Sequence, residues 1–293
     1  MPSCVQRKIF LHSNAASREI SRLRRVRLFN FAHDDGRHVR DASTPTSLKL
    51  LPLALALLTA APAVGQRGPI PAASRQLVLV VTDGWAATAG TLTRFVRRGD
   101  AWVPEGGPVP VVVGRGGLGW GRGLHVANAA RRGEPTKREG DGRAPAGAFA
   151  LTEAFGYGPL DSARTGLPYV RATPDIECVD DGASRHYNRV LDRASVTPDW
   201  TSHEEMRRAD SLYRRGVVVA HNAGRSVPGG GSCIFLHVWS GPGSTTSGCT
   251  AFGEAALAST MAWLDADARP VLVQLPAAAY RRLRAAWALP AVR

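Results

Sequence analysis

Short apolar runs that break off at glycine or proline set the first constraint on this chain. "RQLVLVV", "PVPVVVG", "GVVVAHN", "SCIFLHVW" and "PVLVQLP" are rich in β-branched residues and bounded by turn formers. Runs of ~4–8 such residues suit strands, and they fall short of the ten or more that a helix takes. With 31 glycines and 20 prolines among 293 residues, turn signals recur too often for long helices over most of the length. The expected fold is therefore mainly β with a few helices, a β-rich α+β arrangement in one domain. Helices are expected at "SHEEMRRADSLYRR", where Met206, Ala209, Leu212 and Tyr213 fall at helical spacing behind a Ser202 cap. Two more are expected, at "GEAALASTMAWLDADA" and over the C-terminal stretch 277–293. Residues 156–200 are the least regular part.

The front of the chain stands apart. Residues 48–65, "LKLLPLALALLTAAPAVG", place Lys49 before an apolar run and small residues after it, the layout of a secretory signal peptide. Cleavage is expected at Ala61-Pro62-Ala63 or Ala63-Val64-Gly65. The run from Leu50 to Leu58 is too short to cross a bilayer, which takes ~20 apolar residues. No stable membrane span is therefore expected after cleavage. Residues 1–47 are Arg-rich and without period, and they read as a disordered or non-native extension. The faint twin-arginine look of "RLRRVRLF" lies more than twenty residues ahead of the apolar run. The product is expected to be exported, to the periplasm or cell wall.

The formal charge is +13, and residues beyond 65 carry 27 Lys and Arg against 20 Asp and Glu. That modest excess suits an anionic polymer such as a cell wall. No basic stripe with interleaved aromatics is present, so nucleic acid is not an expected partner. "GRGGLGWGRG" lacks the Lys-Ser/Thr of a phosphate-binding loop. Asp141, Asp180 and Asp181 lie beside glycine and read as solvated turn residues. Beyond the signal remain Cys178, Cys233 and Cys249, an odd number for an oxidising compartment.

Cys249 sits in a Gly/Ser/Thr loop twelve positions after His237, which ends an apolar strand. A thiol attacks carbonyls as thiolate and needs a base nearby, which a strand–loop return of this length can bring alongside. Gly248 and Cys249 offer N–H groups to a developing oxyanion, and Ser247 adds a hydroxyl. The plainer reading is a half-buried thiol and a histidine satisfied by the backbone.

"IFLHVWSGPGSTTSGCTAF" resembles the active-site segment of the YkuD-type L,D-transpeptidases. "PVVVGRGGLGWGRGL", "REGDGRAPAGAFAL", "YNRV" and "GVVVAHN…PGGGSCIFLH" extend the resemblance over most of residues 76–276. It implies a bacterial envelope enzyme with a β-sandwich catalytic domain, cross-linking peptidoglycan stem peptides through a cysteine acyl-enzyme. Cys249 would be the nucleophile, His237 its base and Gly248 part of the oxyanion site, with no cofactor and no metal. Carbapenem-type β-lactams would be inhibitors. Better-known members carry S-H-G-C and a longer His-to-Cys gap. They also often have a basic or amide residue where this chain has Thr250-Ala251-Phe252, so substrate preference and the third triad member are left open. His221, Asn222, Trp239 and Ser247 are candidate substrate-binding residues. With Cys249 kept as the free nucleophile, Cys178 and Cys233 remain to form a structural disulfide. The alternatives are an L,D-carboxypeptidase or endopeptidase using the same site, a non-catalytic wall-binding protein, and a zinc hydrolase using His221, Cys233, His237 and Cys249.

Overall fold

The computed structural model describes residues 68–126 and 129–292. The extension and the signal peptide expected over 1–65 lie outside these residues. The first strands are β1 (Gln76–Thr82), β2 (Ala89–Arg98), β3 (Ala101–Pro104), β4 (Val109–Val112), β5 (Leu118–Trp120) and the long β6 (Ala144–Gly156). After α1 (Leu160–Ala163) come β7 (Tyr169–Arg171), β8 (Ile176–Val179), β9 (Val190–Asp192) and β10 (His203–Glu205). The chain ends with β11 (Arg215–Val219), β12 (Phe235–Val238), β13 (Thr250–Phe252), α2 (Glu254–Trp263), β14 (Val271–Pro276) and α3 (Ala277–Leu283).

The fold is mainly β with few helices, as the short apolar runs require. Eight strands pair in the order β1-β14-β6-β11-β12-β13-β4-β2, and β2 pairs back onto β1, so the sheet closes into a barrel. Closure leaves no free edge within the ring. The expected two-sheet sandwich takes the form of one closed sheet here.

β1 and β14 pair in parallel, and each is an almost unbroken apolar run because both of its faces are covered. Val78, Val80 and Leu272 point into the barrel with Phe149, Leu236, Val238 and Phe252. Leu77, Leu79, Val271 and Val273 point outward, under Tyr280, Trp287 and Leu289 of the C-terminal segment. α2 adds Leu257 and Met261 to the barrel core. Each such fully buried side chain contributes about 1.5–3 kcal/mol.

One polar strut crosses this interior. Thr250 Oγ1 donates to Gln274 Oε1 (2.7 Å), and Gln274 Nε2 donates to the Pro145 carbonyl (3.0 Å), all of it buried. Gln274 carries the strut at a position that would otherwise be apolar, and every polar atom it brings inside finds a partner.

Two helix expectations change. Residues 202–213 hold β10 and a set of turns in place of a helix. His203 and Glu204 pair with Val179 and Cys178, and Tyr213 Oη donates to Glu204 Oε2 at 2.5 Å. In a helix these two residues would lie about 13 Å apart along the axis. The helical spacing of Met206 and Tyr213 reflects burial on the same side of an irregular segment. The C-terminal helix expected over 277–293 ends at Leu283, because Trp287 and Leu289 turn back onto the barrel. Ala288 takes a left-handed φ of 50°, and the Tyr280 hydroxyl donates to the Pro290 carbonyl. The helix at 254–263 is as expected.

The irregular segment supplies a second, three-stranded sheet, β10-β8-β9. It lies over the outer face of β12 through a cluster of Ile176, Met206, Tyr213 and Phe235. The Cys178–Cys233 disulfide, with Cα atoms 5.9 Å apart, bolts it to the residue two before β12. Joining cysteines 55 apart in sequence restricts the unfolded chain by about 4 kcal/mol on the loop-entropy estimate.

Two outcomes are expected. Thr250→Val should lower the unfolding free energy by about 1–3 kcal/mol, because it strands the buried Gln274 amide. Replacing Cys178 and Cys233 together by serine should cost about 2–5 kcal/mol. Denaturant titration measures both. Hydrogen exchange in the double variant should rise first in β8, β9 and β10.

Candidate active site

The site follows from strand alternation. β12 and β13 run parallel, with Leu236 opposite Thr250 and His237 opposite Ala251. Leu236, Val238 and Phe252 point into the barrel, so Phe235 and His237 point outward. Cys249, one residue before β13, falls on the same outer side as Phe235. Its Sγ accepts the Phe235 N–H at 3.3 Å and lies 3.6 Å from the Cys233 carbonyl. Among the described residues it is the free cysteine, 6% exposed.

A cavity of about 500 Å³ opens beside this sulfur. Cys249, His237, Trp239, Ser247 and Gly248 all line it, so the structure brings these sequence-predicted residues together. Arg115, Lys137, Asp180, Glu204, Arg208 and Tyr213 add charge and polarity that the sequence reading did not assign to a site. Thr246, Ser247 and Gly248 form the rim loop, which is tied to the barrel. The Arg115 N–H donates to the Thr246 carbonyl (2.9 Å), the Thr246 N–H to the Val113 carbonyl (3.1 Å), and Arg115 Nη1 to Ser247 Oγ (3.2 Å). The Gly248 N–H, the expected oxyanion donor, is engaged by Thr246 Oγ1 at 3.2 Å.

His237 is 6% exposed, and its Nδ1 lies 2.8 Å from the Val238 carbonyl. A carbonyl only accepts, so Nδ1 carries the proton and Nε2 keeps its lone pair. The third group that orients the imidazole is thus a backbone carbonyl, which no side-chain motif could have named. Burial pushes the His237 pKa down to about 4, with the Val238 carbonyl opposing. Burial pushes the Cys249 thiol up to about 12, reinforced by the Glu204 carboxylate and opposed by the Phe235 N–H. Both groups rest neutral at pH 7. Among the described residues no hydrogen bond joins Sγ to the His237 ring.

Tyr213 lies close to both. Its ring meets the His237 ring edge-on with centroids 5.1 Å apart, and its hydroxyl donates to Glu204 and also faces the thiol. Burial holds the Glu204 carboxyl above its usual range. Its helical spacing had hidden Tyr213. The usable signal was an aromatic and a carboxylate, Glu204, flanking the turn formers of "RRADS".

His221 and Asn222 do not join this cavity. The His221 ring accepts the Arg122 N–H at Nδ1 (3.2 Å) and reaches the Gly230 carbonyl from Nε2 (3.0 Å). Asn222, at φ 51°, bonds the Val227 and Gly231 carbonyls and the Val227 N–H. Both residues hold the 222–231 loop closed. The four residues weighed for zinc do not converge either, since Cys233 is in the disulfide and the His221 nitrogens are engaged. Among the described residues no cluster of three or more His, Cys, Asp and Glu is arranged to hold a metal. Asp181 is a turn residue as expected, accepting from Ala183 and Thr201. Asp141 is more than solvated, because it holds Lys137 at 2.8 Å.

Two histidines buried in neutral form make stability depend on pH. The pKa of His221 is also pushed down to about 4 by burial. Unfolded, each histidine binds a proton below about pH 6.5; folded, each resists until about pH 4. Stability is therefore full above 6.5 and falls as pH drops towards 4, by about 2–3 kcal/mol per histidine at pH 4.5. The raised carboxyls of Glu153 and Glu204 act in the opposite direction. The measurement is thus a difference: His237→Asn should lose less stability between pH 7 and 4.5 than the wild type in denaturant titrations.

Compared with protein-family models, with curated proteins and with solved structures, the chain finds no match.

Proposed function

We propose that this chain is an exported L,D-transpeptidase, a cysteine acyl-transferase acting on peptidoglycan stem peptides. On this reading the domain is a YkuD-type catalytic domain, as the sequence resemblance implies. The observation that carries it is a free cysteine in a walled cavity with an imidazole whose Nε2 is left unprotonated. The ordered segments over 76–276 that resemble the family supply the substrate class.

Because thiol and imidazole both rest neutral, the nucleophile forms during attack rather than before it. Cys249 Sγ bonds the carbonyl carbon of the donor stem while His237 Nε2 takes the thiol proton. The carbonyl π pair moves onto oxygen. Collapse of this adduct breaks the C–N bond, and His237 returns the proton to the leaving amine. An acceptor amine then attacks the thioester and gives its proton to His237; the C–S bond breaks and His237 passes that proton to the sulfur, which restores the thiol and the neutral imidazole. Water in place of the amine gives carboxypeptidase or endopeptidase chemistry at the same site. Trp239 and Ser247 line the cavity where the stem lies.

Cys249→Ala should abolish cross-linking and stem cleavage on purified sacculi, read as muropeptide masses, while the protein stays folded. His237→Ala should slow the reaction by ~10²–10⁴-fold. A carbapenem should add one mass adduct to the wild type and none to Cys249→Ala. Undiminished cross-linking by Cys249→Ala would end the proposal.

A further inference from the structure

We propose that Lys137 is a further catalytic residue, an ammonium set where negative charge develops on the carbonyl oxygen; this rests on the acyl-transfer reading above. The 27 basic residues beyond position 65 include one lysine, and it is this one. Its side chain is 3% exposed, yet it lines the Cys249 cavity. Nζ donates to the Arg138 carbonyl (2.6 Å) and to Asp141 Oδ1 (2.8 Å), which accounts for two of its three protons. Asp141 is itself pinned by the N–H groups of Arg138 (2.7 Å) and Arg143 (2.9 Å), so the ammonium is held at a fixed point.

That point is beside the nucleophile loop. A methyl group on Gly248 would lie 3.7 Å from Nζ, and one on Gly231 would lie 3.1 Å from Lys137 Cε. The side chain thus threads between the loop before Cys233 and the loop before Cys249, packed tightly on Gly231 and within ordinary contact range of Gly248. A clamp between two loops does not need a charge, and an apolar side chain would avoid the cost of burying one. The charge has a use at the thiol. Gly248 already gives its N–H to Thr246, so that expected oxyanion donor is occupied. The other cavity cations are committed as well, Arg115 to Ser247 and Arg208 to Asp210 through two bonds. Glu204 disfavours negative charge at the thiol, whereas the Tyr213 hydroxyl and Lys137 favour it, so the ammonium offsets the carboxylate. When Sγ bonds the carbonyl carbon and the π pair moves to oxygen, the third Nζ proton stabilises that oxygen without leaving nitrogen.

The test compares wild type, Lys137→Met and Asp141→Asn in two measurements. One is the rate at which a carbapenem acylates Cys249, by intact-protein mass. The other is the rate of iodoacetamide alkylation of Cys249 against pH. Lys137→Met should slow acylation by ~10²–10³-fold and move the alkylation profile to higher pH. Asp141→Asn keeps the ammonium and removes its counter-charge, so alkylation should move to lower pH, the direction opposite to Lys137→Met. A purely structural clamp would move both variants in the same direction, which overturns the proposal, as does acylation of Lys137→Met within threefold of wild type. If Lys137→Met does not fold, an Asp141→Asn profile that is unshifted or shifted upward overturns it. A wild type that alkylates normally but never reacts with the carbapenem removes the acyl-transfer reading instead, and the oxyanion role falls with it.

Discussion

The parallel register between β12 and β13 is the constraint on which the site depends. Side chains alternate along a strand, so a slip of one residue would turn Cys249 into the barrel and Thr250 out to the cavity. Two features fix the register from opposite sides. Inside, Thr250 is tied across the barrel to Gln274 and through it to Pro145. Outside, the Phe235 N–H is aimed at the Cys249 sulfur. Apolar burial alone would tolerate alternatives among Leu236, Val238 and Phe252, whereas a hydrogen bond across the core admits one.

The three-stranded sheet turns an exposed barrel face into an enclosed site. Without it, Phe235, His237 and Cys249 would face water on the outside of β12. With it, Phe235 and Cys249 share a cluster with Met206 and Tyr213, His237 packs on the Tyr213 ring, and the burial that drives both pKa shifts follows. The disulfide joins this sheet at Cys178 to Cys233, whose own carbonyl touches the nucleophile. Structural bolt and reactive thiol thus meet at one residue, Cys233.

Much of this was legible because it is local. Short β-branched runs announced the strands, and a twelve-residue return between two strand positions placed His237 and Cys249 in one cavity. Cysteine parity, once Cys249 was set aside, left the pair that is in fact bonded. What escaped was non-local or backbone-borne. Closure depends on β1 meeting β14 and β2, and no local pattern encodes a partner almost two hundred residues away. Tyr213 was hidden by a helical spacing that tertiary pairing of β10 with β8 overrode. The group orienting His237 is a carbonyl, which every residue possesses. His221 and Asn222 looked functional because polar residues at a strand end look alike whether they bind a ligand or close a loop.

The pairing of the first described strand with the last has a consequence for how the molecule is made. β2 is available to β1 almost at once during synthesis, but the other edge of β1 stays open until β14 has been produced. Ring closure is therefore the final step, and it waits on the C-terminal segment. Contacts this distant in sequence form slowly, and an unpaired Val/Leu-rich edge invites pairing with other chains in the interval. The short helix α3 and the tail that packs Trp287 and Leu289 over β1 arrive only then, sealing the seam they follow.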